Sequence, residues 1–316
     1  MIADLDKSSK TKLDGKNEVF MSKYMTGTLS RSGESYSIEW DAPADVYTSH
    51  NEAGRGCELS ELVRYNGKLY SFDDRTGIMF EIVNPQDSSI QGEHRPILVP
   101  RQIFMEGDGT TDKGLKVEWA TVRDNQLYVG SFGKEFTSKD GKILHSNNLW
   151  VVVLQKDGSL VHVDFSEYYN KLRSTFGYSH PGYMIHESIT WSPYHKKWFI
   201  LPRRVSNEPY DDEKDEKRGS NIIITANSDF SQIIKYEVGK VTPERGFSSA
   251  KFLPGSKDSV IVALKSEENS EKGSQSTYIT IYGESTSSTG VSEWKVLMDE
   301  IEVPGGFKFE GLEIIS

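Results

Sequence analysis

The sequence predicts an all-β fold: a five-bladed β-propeller formed by residues 1–316 as a single domain and closed by pairing of its N-terminal and C-terminal segments. Three observations point there. Short runs rich in Val, Ile, Tyr, Phe and Trp are punctuated by Asn-Gly, Asp-Gly, Ser-Gly and Pro-Gly pairs. A unit of about sixty residues recurs along the chain, and an N-terminal run has the character of the strand that the last unit lacks.

Lys68 to Phe72 after Asn66-Gly67, and Ile78 to Ile82 after Arg75-Thr76-Gly77, read as successive strands. Val151 to Leu154 and Leu160 to Val163, joined through Asp157-Gly158, read as a hairpin. One helix is predicted, over Ser166 to Phe176, where Tyr169, Leu172 and Phe176 fall on roughly helical spacing.

The repeat is anchored at Ser60, Glu118, Glu187, Ser248 and Glu310, with separations of 58, 69, 61 and 62 residues. Each of the first four is followed by a turn and a second strand with a charged end: Asp73-Asp74-Arg75, Lys134, Arg203-Arg204 and Lys265. Ile2-Ala3-Asp4-Leu5-Asp6 has the same apolar-then-charged character, so the N-terminus is expected to complete the blade that Glu310 begins. Unrelated β-rich stretches of a sandwich are the competing reading.

Every anchor bears an oxygen. If five blades bring them to one channel, the three carboxylates repel one another unless a cation sits between them. A hard divalent ion with many oxygen ligands fits, Ca²⁺ before Mg²⁺ and not Zn²⁺. The bland alternative is surface glutamates at chance positions. Asp4, Asp6, Asp73, Asp74, Arg75, Lys134, Arg203, Arg204 and Lys265 would ring one mouth of the channel. Carboxylates beside Arg and Lys above a metal suit phosphoryl transfer, although solvated strand ends are the commoner use of such residues.

The composition excludes several classes. The chain has 37 Lys and Arg against 47 Asp and Glu, a net charge of −10, and no basic block, which argues against a nucleic-acid partner. A single cysteine, Cys57, allows neither an intramolecular disulfide nor a Cys-rich zinc site and reads as a small buried residue. The longest apolar runs, such as Leu149 to Leu154, fall far short of the ~18 residues of a membrane helix, so a soluble chain without a membrane partner is expected. A monomer is the expected state. Met1-Ile2-Ala3 followed by Asp4, Asp6 and Lys7 has no signal-peptide core, which leaves a cytosolic protein or a secreted one whose signal has been removed. No Asn-X-Ser/Thr sequon adds a vote for secretion.

Other motifs are weaker. Asp108 to Asp112 begins like an EF-hand loop but fails at Lys113 and Trp119, Gly130 to Lys134 lacks Walker A spacing, and His186-Glu187 lacks a second His. The charge run Asp211 to Arg218 reads as a solvated loop.

At these residues the sequence resembles the calcium-activated nucleotidase family, also called bed-bug-type apyrases, with vertebrate secretory-pathway enzymes and salivary enzymes of blood-feeding insects among its members. The matching segments include Ile2 to Asp6, Gly54 to Ser60, Gly67 to Gly77, Lys116 to Trp119, Pro181 to Ser188, Leu201 to Arg204, Gly246 to Ser249, Val262 to Glu268 and Phe309 to Glu313. They span nearly the whole chain.

The resemblance implies a Ca²⁺-dependent enzyme that hydrolyses nucleoside di- and triphosphates and releases phosphate. It implies Ca²⁺ ligands at Ser60, Glu118, Glu187, Ser248 and Glu310, the positions the repeat singles out. It further implies catalytic residues at Asp4 and Asp74, and phosphate contacts at Lys134, Arg203 and Lys265, with Arg55, Glu58 and Arg75 as further substrate-binding candidates. Secretion, and for a salivary enzyme suppression of ADP-driven platelet aggregation, follow from the same resemblance. Cys57 and the loop from Asn84 to Glu106 depart from the family pattern. A non-catalytic, calcium-stabilised propeller that binds nucleotide or a protein, and a calcium-bound hydrolase of lactones or organophosphates, are the rival readings.

Overall fold

The computed structural model describes residues 1–13, 15, 17–90, 92–138, 142–269, 273–286 and 292–315. Four sheets follow the chain order: Leu59–Tyr65, Lys68–Asp73, Ile78–Val83 and Ile97–Ile103; then Trp119–Arg123, Gln126–Gly130, Trp150–Leu154 and Leu160–Asp164; then Tyr183–Ser192, Lys197–Ser206, Ile222–Asn227 and Ile233–Glu237; then Arg245–Phe252, Val260–Asn269, Ser274–Thr286 and Ser292–Glu302. The fifth joins the two ends of the chain. Lys308–Gly311 pairs antiparallel with Ile2–Asp4, with Ile2 opposite Gly311, Ala3 opposite Phe309 and Asp4 opposite Lys308. Asn17–Tyr24, with Lys10–Leu13 and Ala44–Thr48 on it, completes that blade. The fold is a five-bladed propeller with the expected closure.

Turn chemistry fixes the hairpins. Asn66 and Gly67 take φ of 48° and 77° between the paired Tyr65 and Lys68, a two-residue turn whose left-handed backbone matches strand twist. Asp124 and Asn125, at 53° and 60°, do the same between Arg123 and Gln126, which short side chains able to bond their own backbone tolerate.

Among the described residues the core is divided into five apolar clusters, one at each blade interface. Phe72 and Phe104 meet Val129 and Val152; Trp119 and Val151 meet Met184 and Trp198; Phe199 and Leu201 meet Phe247 and Ile261; Val262 and Leu264 meet Ala3 and Phe309; Ile2 and Phe20 meet Leu59 and Phe80. Since the last interface joins the fifth blade to the first, the ring has no open side. The helix Ser166–Thr175 lies outside the second interface, with Tyr169 and Leu172 buried against it; Phe176 caps it rather than continuing it. Among the described residues no helix is long and apolar enough to cross a membrane.

The charge run departs from a plain solvated loop. Asp212–Asp215 forms one helical turn, capped by Asp211, whose carboxylate accepts from Lys214 N–H at 3.0 Å. Asp215 accepts from the Tyr183 hydroxyl and lies 3.8 Å from the fully buried Arg204 guanidinium, while Arg218 donates to the same hydroxyl at 2.9 Å. A buried cation such as Arg204 draws the nearest carboxylate to itself, and that ties the run to the third blade.

Candidate active site

The five anchors lie on or beside the innermost strands, and all are buried. A break in the ladder accompanies each one. Register shifts fall across Leu59/Leu62, His186/Ile189, Phe247/Ser249 and the Ile2/Ala3 step facing Glu310. In the second blade, Glu118 N–H donates to the Gly130 carbonyl at 2.9 Å although Trp119 is the residue paired with Gly130. An extra residue bends a strand and re-aims its side chain, so one local irregularity, used five times, frees each anchor from the period of two.

The two serines bridge to the blade ahead. Ser60 donates to the Val117 carbonyl, and Ser248 donates to the Phe309 carbonyl at 3.3 Å, in each case the residue before the next glutamate. With its proton committed, each hydroxyl keeps lone pairs for a further partner.

Arg203 crosses the axis. Its guanidinium, from the third blade, donates to Glu187 and to Glu310 of the fifth blade at 3.0 Å, and lies 3.3 Å from Glu268. Gly246 makes room for it: a Cβ there would stand 2.4 Å from Arg203 Cγ. Lys308 contacts Asp4 at 2.8 Å, Asp6 at 2.9 Å, Glu268 at 3.0 Å and Glu310 at 3.5 Å. Lys116 holds Asp74 at 2.6 Å and also Glu118. Arg55 pairs with Glu58 and lies 3.7 Å from Asp6. Asp4, Asp6 and Glu58 form a group of carboxylates whose nearest oxygens lie within 4.8 Å of one another.

Eight carboxylates (Asp4, Asp6, Glu58, Asp74, Glu118, Glu187, Glu268 and Glu310) thus share four cations, Arg55, Lys116, Arg203 and Lys308. The imbalance shows in the acidities. Burial, with repulsion from neighbouring carboxylates, pushes Glu118 and Glu310 up to about 8 and raises Asp4 well above the usual carboxylate range. Glu268, between Arg203 and Lys308, is driven the other way. A divalent cation among Glu118, Glu187, Glu310 and the two serine hydroxyls would relieve the repulsion, and hard oxygens are the donors Ca²⁺ takes. The donor set fits that ion.

The remaining candidates separate. Asp74 keeps Oδ1 buried and without a hydrogen-bond partner among the described residues. Arg75 donates its backbone N–H to Asp73 at 2.9 Å, and its buried Nε has no hydrogen-bond partner among the described residues. Lys134 and Lys265, expected at the channel mouth, have close partners of their own. Lys134 sits 4.1 Å from the Tyr210 ring centroid and donates to the Glu135 carbonyl at 3.1 Å. Lys265 pairs with Glu300 at 3.0 Å inside the fourth blade, 4.6 Å from the Phe247 ring. A desolvated ammonium takes the nearest carboxylate or aromatic face, whatever the repeat assigns it. Cys57 is buried, as expected, and burial raises its thiol.

Sequence reasoning passed over Lys116, Glu268 and Lys308. Lys116 and Lys308 each stand two residues before an anchor glutamate, so the repeat itself carried their signal.

His186, beside Glu187, is fully buried against Tyr169, and burial, with Arg173 adding to it, lowers its imidazole to about 3. The folded state therefore holds it neutral while the unfolded chain protonates it below about 6.5, so stability falls as pH drops from 6.5 towards 3. By pH 5 this costs about 2 kcal/mol. His186→Phe should abolish that part of the loss in urea unfolding at pH 7.5 and 5; an unchanged difference between the two pH values would show that the imidazole is not the group responsible.

The apyrase family model matches residues 5–315. The chain is 42% identical to soluble calcium-activated nucleotidase 1 of Rattus norvegicus, covering 100% of this chain and 73% of the rat protein. It is 37% identical to an apyrase of Cimex lectularius and 35% identical to one of Phlebotomus duboscqi, covering 100% of this chain and 81% and 88% of those proteins. With a five-bladed propeller fold and a family match over nearly its whole length, the chain belongs to the apyrase family.

Proposed function

We propose that the protein is a Ca²⁺-dependent apyrase that hydrolyses ATP and ADP to the monophosphate and inorganic phosphate by in-line attack of water. Ca²⁺ would be held by Ser60, Glu118, Glu187, Ser248 and Glu310, and when bound it would polarise phosphate oxygens and offset the carboxylate excess. The observation that carries the reading is Asp74. Its Oδ2 is fixed by Lys116 at 2.6 Å while the buried Oδ1 has no hydrogen-bond partner among the described residues, which suits a carboxylate that orients a water and accepts its proton. As the water oxygen bonds to the terminal phosphorus, the phosphoanhydride bond breaks, that phosphoryl group becomes inorganic phosphate, and negative charge moves onto the bridging oxygen that departs with the nucleotide. Arg203 and Lys308 would stabilise that charge, and Arg55 and Arg75 would contact the rest of the substrate. Asp4, buried against Lys308, is the alternative proton acceptor.

The relatives named calcium-activated nucleotidase and apyrase support the substrate class and the ion. A monomer is the state we favour, and a calcium site of moderate affinity fills most readily outside the cell, which favours secretion and the removal of extracellular ADP that drives platelet aggregation.

Phosphate release from ADP and ATP, in Ca²⁺ and in chelator, is the test. Asp74→Asn should lower turnover by roughly 10²–10⁴-fold with Ca²⁺ binding retained. Full turnover in that variant would remove Asp74 from the mechanism, and no release from either nucleotide would leave a propeller that only binds.

A further inference from the structure

Next to the serine and glutamate ring, the channel is crossed by a second set of contacts to which the chemistry above gives no part. Glu61 follows Ser60 on the innermost strand of the first blade, and its Oε2 lies 3.2 Å from Lys251 Nζ on the innermost strand of the fourth. Those blades are not neighbours in the ring, so the contact spans the axis. Glu61 Oε1 accepts from Ser249 Oγ at 2.9 Å and from Leu62 N–H at 2.8 Å. Ser249, which follows Ser248, in turn accepts from Leu312 N–H of the fifth blade at 3.2 Å, and Lys251 reaches the Ala120 carbonyl of the second at 3.4 Å. One buried carboxylate therefore joins the inner strands of four blades.

We infer that Glu61 is a positioning residue for the axial cation site: by gripping Ser249 and Lys251 across the channel it sets the separation of the Ser60 and Ser248 hydroxyls. The inference rests on the reading of the anchor ring as the Ca²⁺ site. Both serines sit at breaks in their ladders, where pairing along the strand does least to fix the backbone. Ca²⁺ needs its oxygens within a few tenths of an ångström of about 2.4 Å, so a ring built at bulges requires something across it to hold its width. Burial of an ion pair is a poor way to gain stability, since apolar side chains of equal volume do as well or better. A pair that charge and hydrogen bonds fix in one arrangement does what an apolar plug does not: it keeps one spacing.

The test is calorimetric titration of Ca²⁺ into the full chain, with the unfolding temperature in chelator measured alongside. Glu61→Gln should weaken Ca²⁺ binding by roughly 10-fold or more, the scale of losses seen when groups supporting metal ligands are changed. The double variant Glu61→Leu with Lys251→Met, which leaves no buried unpaired charge, should recover thermal stability in chelator and still bind Ca²⁺ weakly. Recovery of affinity together with stability would show that the pair acts through the fold alone and would overturn the inference. If Glu61→Gln does not fold, Ser249→Ala, which loses the bonds to Glu61 and Leu312 without removing a charge, carries the same test; affinity within about twofold of the parent there overturns it. Glu187→Gln, titrated in parallel, separates the two readings. Unchanged binding in Glu187→Gln sinks the ring as the cation site, whereas loss there with parental affinity in the Glu61 and Ser249 variants sinks only the positioning role.

Discussion

A Glu187→Gln variant is expected to bind Ca²⁺ at least about 10–100-fold more weakly than the parent, since changing even a residue that only supports a ligand costs that much. Its turnover of ADP at modest Ca²⁺ should fall in parallel. Stability should move differently. Without a cation, Glu187 is one of eight carboxylates sharing four cationic side chains, and it adds to the repulsion that raises Glu118 and Glu310. Gln keeps a carbonyl oxygen for Arg203, which also retains Glu310 and Glu268, so no buried charge is stranded. In chelator the variant should unfold at a temperature no lower than the parent, and the added stability that Ca²⁺ gives should shrink, because a ligand stabilises the folded state by an amount that rises with the logarithm of its concentration over Kd. Differential scanning calorimetry with and without Ca²⁺ reads both effects. A variant that melts early in chelator yet keeps the full Ca²⁺ shift would place Glu187 among structural residues and remove it from the ligand set.

The opposite signs of those effects reflect what the ring is. Three buried glutamates beside too few cations make little sense as packing, and their spacing in sequence singled them out. Each anchor could be located because oxygen recurred once per unit at a place where a repeat built only for packing would carry an apolar residue. The bulge that aims each one was not legible, since a period of two looks the same whether or not one residue is extra. Lys116 and Lys308 were hidden for a related reason: the blades that carry Glu58, Ile185 and Gly246 at the same offset dilute the pattern below notice. Lys134 and Lys265 show the limit from the other side. The repeat fixes where a strand ends, but an ammonium on a flexible stem is placed by its partners, and Tyr210 and Glu300 lie far from both lysines in sequence. Arg203 lies on the boundary of what the sequence could tell: its strand position followed from the repeat, while its reach across the axis to Glu310 depends on the empty space left by Gly246.

Deletion of residues 1–6 is expected to cost the protein most of its net stability. Ile2 and Leu5 are buried in the two clusters that flank the closing blade, and removing them from those clusters costs about 1.5–3 kcal/mol each. The ladder of Ile2, Ala3 and Asp4 against Lys308–Gly311 is lost as well, which leaves buried backbone groups of the innermost strand without partners. Lys308 loses Asp4 and Asp6 and keeps only Glu268 and Glu310. Together these losses are of the same order as the ~5–15 kcal/mol by which a typical fold is stable. The other four sheets keep their own ladders, so far-ultraviolet circular dichroism should retain strand signal while cooperative unfolding disappears and Ca²⁺ no longer shifts the melt, because Glu310 then sits on an unpaired strand. Ile2→Ala provides the graded control, with an expected loss of about 2–5 kcal/mol from the cavity and an intact ladder. If the truncated chain melts cooperatively at the parental temperature, closure by the N-terminal strand contributes little, and the ring must be held by the packing between blades alone.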